Sequence, residues 1–342
     1  MLSKHFLSEW TILDDGPSKC SNTSLSFQRG TVLGMNEQHG LVSDQTARSV
    51  LDLLLPGSVL TAITALTGSL SNATCLVSAQ AADGSVARIV VRRYAIFGNY
   101  DRGEKARREY TLFQLLQHSS VPVPEPPFLD DTGSLLGSPG IVTKYVPGTL
   151  ELTASDTLAW AASMARTLAN IHNVPLDHVD RGFLLDAHSE AFWFLKAGDE
   201  IPPYIAAHPK GAEVWYAIKG LMPTMQNVPK CLVHIDYWPG QLLWDKNQIV
   251  AVVDWEEVAY CDPAYDVAYC RMQLARSGHA EAGEEFLRAY EQVMGRKTPN
   301  LTLFELAATI RPMFSSPDRI SKSPERERFI EFIDDVLQKS GL

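Results

Sequence analysis

The stretch HIDYWPGQLLWD, residues 234–245, carries a carboxylate and an amide at a fixed spacing. Asp236 supplies the carboxylate, and Gln241 supplies the amide five residues later. A second carboxylate, Asp254, follows Asp236 by 18 residues in the stretch AVVDWEE. Carboxylate and amide oxygens are the hard donors that Mg²⁺ prefers, with phosphates and water as its other ligands. One carboxylate could hold the metal while the other accepts a proton from an attacking hydroxyl, as in phosphoryl transfer.

A β-hairpin is expected to bring these groups together. The predicted strand CLVHI ends just before Asp236, and the predicted strand IVAVV ends just before Asp254. A turn is predicted between them at Lys246 and Asn247. Both carboxylates would then lie on the same side of the hairpin, with Gln241 between them. Taken singly, each aspartate could also be an ordinary turn or cap residue; the joint spacing favours a site.

The rest of the chain divides into a β-rich first part and a helical second part. A short helix is predicted over 44–55, followed by strands in ALTGSLSNATCLVSA and ARIVVRRY that are joined by turns rich in Gly, Ser and Asn. A charged helix is predicted over 101–117, and PGIVTKYVPG at 139–148 predicts a short strand and a connector. Beyond the connector, apolar periodicity predicts helices, with Ser155 as one N-cap and the last helix starting at 323–324.

Composition limits the classes of partner. The chain has 342 residues, enough for two lobes with a sizeable core. Its formal net charge is −10 without a long basic run, which argues against nucleic acid and favours a cationic small molecule. The most apolar stretch, SVLDLLLPGSVLTAITAL, is interrupted by Asp52 and Pro56, so no membrane span is expected. The oligomeric state is not predicted.

The cysteines and the N-terminal stretch indicate the compartment. The five cysteines show no CxxC pair and no metal-ligand spacing, and their odd number argues against a disulfide framework. Such usage is typical of a reducing environment. The stretch MLSKHFLSEWTILDDG lacks the apolar core of a signal peptide. A cytoplasmic location is therefore expected.

Three motifs in order resemble the aminoglycoside phosphotransferase and choline kinase-like small-molecule kinases, which are distant relatives of protein kinases. The family's His-x-Asp-x-x-x-x-Asn loop is similar to 234–241, its Ile-Asp-Trp-Glu motif to 253–256, and its Asp-Pro-x-x-Asp segment to 262–266. His-x-Asp alone would be uninformative, but the three together are specific. One departure is Gln241, where the family has Asn. The added methylene puts the second metal contact in doubt, because Mg²⁺ requires near-ideal octahedral geometry.

The resemblance implies an α+β, protein kinase-like two-lobed fold. A β-rich, nucleotide-binding N-lobe would span 44–146, and a mainly helical C-lobe with the catalytic loop and acceptor site would span 147–342. Residues 1–43 would form an N-terminal extension of unclear structure. The implied reaction is transfer of the γ-phosphate of ATP, or of GTP, to a hydroxyl of a small molecule, with Mg²⁺ as cofactor.

The resemblance also implies residue roles. Asp236 would be the catalytic residue that orients the acceptor hydroxyl and accepts its proton, and Asp254 and Gln241 would bind Mg²⁺. A small-residue turn, a strand cation with its partner acid, and backbone groups of the connector would bind the nucleotide. These residues are Gly68, Ser69, Ser71, Asn72, Arg92, Glu109, Lys144 and Val146, with Arg93 as the alternative to Arg92.

Plainer interpretations stand beside these roles. Arg92 could be a solvated strand residue, Glu109 an ordinary surface acid of its helix, and 68–72 an ordinary hairpin turn. His234 and Asp266 are expected to brace the catalytic loop rather than to react.

Four residues near the carboxylates are candidates for contact with the acceptor. Tyr237 and Trp238 either line an acceptor pocket or pack in the core. Glu256 and Glu257 either bind an amine-bearing acceptor or form a solvated face.

Three functions are compatible with the sequence. The first is a kinase for an antibiotic such as an aminoglycoside or a macrolide, hence antibiotic resistance. The second is a metabolic kinase for an amino alcohol, a sugar or a natural product. The third is a nucleotide-binding pseudokinase without turnover, which Gln241 makes credible.

Overall fold

The structure is a computed structural model. It describes residues 41–66, 72–94, 101–186, 191–315, 320 and 324–341. The turn residues Gly68, Ser69 and Ser71 and most of the predicted 1–43 extension therefore lie outside the described residues.

The chain forms two compact units. The first is Met1–Tyr110 with Glu125–Tyr145, and the second is Thr111–Pro124 with Val146–Leu342. The segment Thr111–Pro124, which the sequence placed in the N-lobe, thus groups with the second unit. The division at residue 146 into a nucleotide-binding and an acceptor-binding lobe stays a prediction.

The first unit is built on one antiparallel sheet with the strand order β1-β2-β3-β5-β4. Its elements are α1 (Asp44–Leu54), β1 (Val59–Ala65), β2 (Ala73–Gln80), β3 (Val86–Arg93), the start of α2 (Arg102–Leu116), β4 (Phe128–Asp130) and β5 (Gly140–Lys144).

Helix α1 shows why the predicted helix forms where it does. The Ser43 side chain accepts the Thr46 N–H at 3.0 Å and caps the helix. Ala47, Val50 and Leu51 lie on one face and are buried. They pack against alternate side chains of β2 and β3, so that face of the sheet forms the core of the unit.

The second unit is mainly helical and contains two small sheets, β6-β8-β9 and β10-β7. Its strands are β6 (Thr149–Leu150), β7 (Cys231–Val233), β8 (Leu242–Asp245), β9 (Gln248–Val252) and β10 (Ala259–Cys261). Its helices are α3 (Thr157–His172), α4 (Pro203–Ala206), α5 (Gly211–Leu221), α6 (Ala264–Arg276), α7 (Ala280–Met294), α8 (Leu301–Ser315) and α9 (Glu325–Ser340).

Two local predictions in the second unit have clear outcomes. The turn between β8 and β9 is confirmed: Lys246 and Asn247 have φ of 48° and 65°, as a two-residue type I′ turn requires. The predicted N-cap of α3 at Ser155 is wrong by one residue. Asp156 accepts the Ala159 N–H at 2.9 Å instead, because its carboxylate reaches the third amide of the helix.

Helices α5, α6, α8 and α9 pack around a large apolar core that includes Trp215, Phe304 and Phe329. This core holds α6 and α8 rigidly beside the loop that follows β7. Within the described part of the chain, no helix combines the length and apolar character needed to cross a membrane.

Candidate active site

The loop after β7 adopts a strained conformation that a buried carboxylate stabilises. Ile235 has φ of 77°, a left-handed conformation that costs a β-branched residue on the order of 1–3 kcal/mol. Asp266, fully buried in α6, accepts the His234 N–H at 2.7 Å and the Ile235 N–H at 2.8 Å, one on each oxygen. The predicted bracing role of Asp266 is therefore confirmed.

His234 links this loop to the strand end that carries Asp254. Its Nδ1 accepts the Asp236 N–H at 3.3 Å. Nε2 therefore carries the proton and donates to the Val253 carbonyl at 2.9 Å. The ring is buried, and its centroid lies 4.4 Å from the centroid of the Trp255 ring. With both nitrogens engaged in backbone contacts, His234 is structural, as predicted.

The three groups singled out by their spacing lie together. Gln241 Nε2 donates to Asp236 Oδ2 at 2.6 Å and to Asp254 Oδ2 at 3.3 Å. The backbone sets this arrangement: the Val253 N–H donates to the Gln241 carbonyl at 3.0 Å, and Asp254 has φ of 68°. The loop after β7 and the end of β9 thus direct the two carboxylates toward one amide, on the same side as the sequence predicted.

The donor set fits Mg²⁺ in kind, because a carboxylate and an amide oxygen are both hard ligands. Asp254 can offer a carboxylate oxygen directly. Gln241 faces the two carboxylates with its nitrogen, so the amide must turn over before its oxygen can reach a metal beside Asp254. The predicted metal-binding roles of both residues stay predictions.

Two residues that sequence reasoning missed also contact Asp236. Arg311 Nη1 lies 3.6 Å from Asp236 Oδ1, and Nη2 lies 3.6 Å from Glu257 Oε2. Tyr269 is the second residue, because burial and the neighbouring Asp236 carboxylate raise the pKa of its phenol. One signal could have pointed to Arg311: the apolar helix LTLFELAATIRPMFS contains one basic residue.

In the first unit, Arg92 pairs with Glu109 as the resemblance implied. Arg92 Nε lies 3.4 Å from Glu109 Oε2, and the Tyr94 hydroxyl donates to the same oxygen. The Arg92 guanidinium lies 5.5 Å from the Tyr94 ring centroid. Glu109 is buried, which rules out the surface-acid interpretation.

The alternation of β3 separates the two candidate arginines. Arg93 lies on the same face as the buried Ile89 and Val91, and its Nη2 donates to the Leu41 carbonyl at 2.9 Å. Arg92 lies on the opposite face, with Glu109. The geometry therefore favours Arg92 as the phosphate-binding cation, a role that stays a prediction.

The other residues predicted to bind nucleotide are placed as follows. Asn72 is buried directly before β2. Lys144 ends β5, its N–H donates to the Glu125 carbonyl at 2.8 Å, and its Nζ lies 2.6 Å from Glu125 Oε2. Val146 belongs to the second unit and precedes β6. Their nucleotide contacts stay predictions, and Gly68, Ser69 and Ser71 are outside the described residues.

The structure corrects two of the candidate acceptor contacts. Tyr237 is fully buried, and its hydroxyl donates to the Met164 carbonyl at 2.8 Å, so it packs and has no surface for an acceptor. Glu256 is buried, so it does not belong to a solvated face, and it has little surface to offer an amine. Glu257 pairs with Arg311. Trp238 is half-buried over Gly240 and stays a candidate.

Comparison with known families gives one match that spans most of the chain. Residues 62–300 match the family model described as "Phosphotransferase enzyme family", well over half of the sequence. The chain belongs to this phosphotransferase family. The resemblance drawn from the three motifs is thereby confirmed.

Solved structures of phosphotransferases share the fold. An ADP-bound aminoglycoside phosphotransferase, APH(2″)-Ib, superposes with a TM-score of 0.53 at 16% identity, covering 86% of this chain and 97% of that one. The macrolide 2′-phosphotransferase MphH from Brachybacterium faecium gives a TM-score of 0.55 at 21% identity, covering 84% and 97%. The predicted α+β, protein kinase-like fold class is confirmed.

A curated relative is much longer than this chain. Acyl-CoA dehydrogenase family member 10 of Mus musculus is 29% identical over 183 residues, which is 47% of this chain and 16% of that protein. The chain therefore spans about a sixth of the length of the curated relative it matches.

Proposed function

We propose that this phosphotransferase family member is a small-molecule kinase that moves the γ-phosphate of ATP, or of GTP, to a hydroxyl group. The observation that carries the proposal is the contact of Asp236 and Asp254 with one amide of Gln241. Two carboxylates so close together suit a reaction in which one receives a proton and the other holds a metal. The ADP bound to the related APH(2″)-Ib supports an adenine nucleotide as co-substrate.

In this proposal each residue contributes position or charge. Asp236 orients the acceptor hydroxyl and accepts its proton. Asp254, with Gln241 after its amide turns over, would hold Mg²⁺, and this cation would neutralise phosphate charge. Arg92, held by Glu109, binds the α- and β-phosphates. Phosphoryl transfer gains most of its rate from such positioning and charge stabilisation.

The acceptor is proposed as a hydroxyl-bearing small molecule. Aminoglycosides and macrolides are the first class to test, because the names of the two structural relatives contain these substrates. Amino alcohols, sugars and other natural products are the second class. Support for a cationic acceptor from the acid cluster is weaker than the sequence suggested, since Glu256 is buried and Glu257 faces Arg311.

A second candidate function, a nucleotide-binding pseudokinase, is favoured by one observation. The amide nitrogen of Gln241, rather than its oxygen, faces the two carboxylates. If the amide keeps this orientation, it satisfies the carboxylates with hydrogen bonds, and Mg²⁺ loses one of its two protein ligands.

Titration calorimetry of ATP with and without Mg²⁺ separates the two functions, using wild type and Gln241→Asn. A working kinase is expected to bind Mg-ATP more tightly than ATP alone, with little change in Gln241→Asn, and to transfer phosphate to a member of the acceptor panel. Gln117→Asn is a matched control, because the Gln117 amide donates to the Pro124 carbonyl at 3.1 Å in a different segment of the chain. Binding that ignores Mg²⁺ in wild type, and gains Mg²⁺ dependence in Gln241→Asn, would support the pseudokinase instead.

A further inference from the structure

The carboxyl group of Asp236 is contacted on both of its oxygens. Gln241 Nε2 donates to Oδ2 at 2.6 Å, while Arg311 Nη1 lies 3.6 Å from Oδ1. Burial and the nearby Asp236 carboxylate raise the pKa of the Tyr269 phenol, so this phenol lies beside the same carboxylate. A contact on one oxygen leaves a carboxyl group able to rotate about its Cβ–Cγ bond, whereas contacts on both oxygens restrict its plane.

Rigid elements hold Arg311 and Tyr269 in place. Arg311 lies on α8 between the buried residues Ile310 and Met313, and its Cζ is 5.2 Å from the Tyr269 ring centroid. Tyr269 lies on α6, where Gln273 Nε2 donates to its hydroxyl oxygen at 2.8 Å. This contact occupies an acceptor position of the hydroxyl and leaves its proton available for donation. Groups held by packed helices keep their geometry better than groups on loops.

Arg311 also offsets negative charge around the reacting position. Asp236, Asp254 and Glu257 place three carboxylates in one region, and like charges disfavour each other's ionised forms. The two terminal nitrogens of Arg311 each lie 3.6 Å from one of these carboxylates, on Asp236 and on Glu257. This separation is longer than a charge-assisted hydrogen bond, so the cation attracts the Asp236 carboxylate without a tight hydrogen bond to Oδ1.

We propose that Arg311 is a positioning residue for phosphoryl transfer, acting through Asp236 with the help of Tyr269. The inference rests on the proposed function, because it assigns Arg311 to the group that handles the acceptor hydroxyl. Arg311 keeps the Asp236 carboxylate in the plane that meets this hydroxyl, and it does not itself contact the transferred phosphate.

A double-mutant cycle tests this role. Arg311→Gln and Arg311→Lys are made in wild type and in Asp236→Asn, and kcat and KM are measured with the best acceptor of the panel. Hydrolysis of Mg-ATP by water serves where no panel member reacts. Arg311→Gln is expected to lower kcat roughly 10- to 100-fold with KM for Mg-ATP unchanged, because small misplacements of a reacting group have effects of this size. Arg311→Lys should recover part of the loss.

The Asp236→Asn background decides the mechanism. If Arg311 acts through Asp236, removing it from Asp236→Asn should change kcat by less than about twofold, since contacting residues that share one function are non-additive. An equal loss in both backgrounds overturns the proposal. A raised KM for the acceptor in both backgrounds also overturns it, by placing Arg311 against the acceptor itself.

Arg276→Gln is the matched control. Arg276 also joins a partly buried ion pair, 2.5 Å from Glu325, and stacks over an aromatic ring, 5.6 Å from the Phe329 centroid. Arg276→Gln should lower the melting temperature and leave kcat per folded molecule unchanged. Arg311→Gln should instead lower kcat and leave the melting temperature nearly unchanged. Turnover in wild type with an unaffected Arg311→Gln overturns the positioning role alone. Absence of any turnover in wild type overturns the proposed function, and the positioning role with it.

Discussion

Two arginine–carboxylate pairs of the second unit differ in their N–O distance and in the exposure of their side chains. Arg271 Nε lies 2.6 Å from Glu305 Oε1, with exposed side-chain fractions of 4% and 2%. Arg271 also donates to the Gly283 carbonyl at 2.7 Å and to Glu284 at 3.0 Å. Arg311 and Asp236 are 3.6 Å apart, with exposed fractions of 18% and 21%.

The difference shows what separates a structural pair from one that can act on a third group. A buried pair must satisfy its donors and acceptors internally, because an unpaired buried charge is very costly. The Arg271 pair meets this requirement with short contacts. The Arg311 pair is longer and partly exposed, so its carboxylate can still receive a proton from another molecule. Distance and exposure, rather than residue type, distinguish the two pairs.

The largest expected effect is on turnover. Asp236→Ala should lower kcat on the order of 10²- to 10⁴-fold, the usual range for loss of a positioned acid–base group. Stability should change little, because the residue is partly exposed. Steady-state phosphate transfer and thermal melting measure the two quantities. Asp245→Ala removes an exposed carboxylate from the turn end of the β8–β9 hairpin and should leave kcat unchanged. A near-normal rate for Asp236→Ala would remove the mechanism.

Loss of the Arg271–Glu305 pair should lower stability rather than turnover. Glu305→Ala leaves the Arg271 guanidinium buried without its main partner, so the free energy of unfolding should fall by about 3–5 kcal/mol. Denaturant unfolding measures this change, and kcat per folded molecule should stay the same. Glu284→Ala, which removes a partner with 60% exposure, should cost less than about 1 kcal/mol. Equal losses for the two variants would break the contrast between buried and exposed partners.

A change at Asp266 is expected to affect both stability and turnover, since this residue is buried and also braces the loop that carries Asp236. Asp266→Asn replaces one accepting oxygen with a donor, which leaves either the His234 or the Ile235 N–H unsatisfied at a cost of about 1–3 kcal/mol. Because Ile235 then loses support for its left-handed conformation, kcat should fall as well. Unfolding and turnover measured on the same preparation check both effects. A loss of stability with normal kcat would show that the loop keeps its geometry unaided.

The smallest effect is expected at Tyr237, which follows Asp236 in sequence but is fully buried. Tyr237→Phe removes one hydrogen bond to the Met164 carbonyl and should lower the free energy of unfolding by about 1 kcal/mol. The KM for the acceptor should not change. Tyr216→Phe, at a position with 64% exposure, is the control for loss of a hydroxyl. A raised acceptor KM in Tyr237→Phe would restore its role as a pocket residue.

The sequence was most informative where chemistry and spacing coincide. Asp236 and Gln241 come shortly before the β8–β9 hairpin and Asp254 comes shortly after it, so a short-range pattern with a predictable turn was enough to place them together. The same locality explains why α1 and β3 were predictable. Arg92 was favoured over Arg93 in sequence, and the face of β3 that meets Glu109 supports the same choice.

The tertiary structure alone decided what surrounds the Asp236 carboxylate. Arg311 and Tyr269 lie on two helices far from Asp236 in sequence, and no periodicity indicates which side chains of packed helices point at a given loop. Only the structure shows that Tyr237 and Glu256 are buried, which argues against their predicted contacts with an acceptor. Local spacing determines which groups share a turn or a strand end. The charges and hydrogen bonds that complete a site depend on how distant helices pack, which only the folded chain specifies.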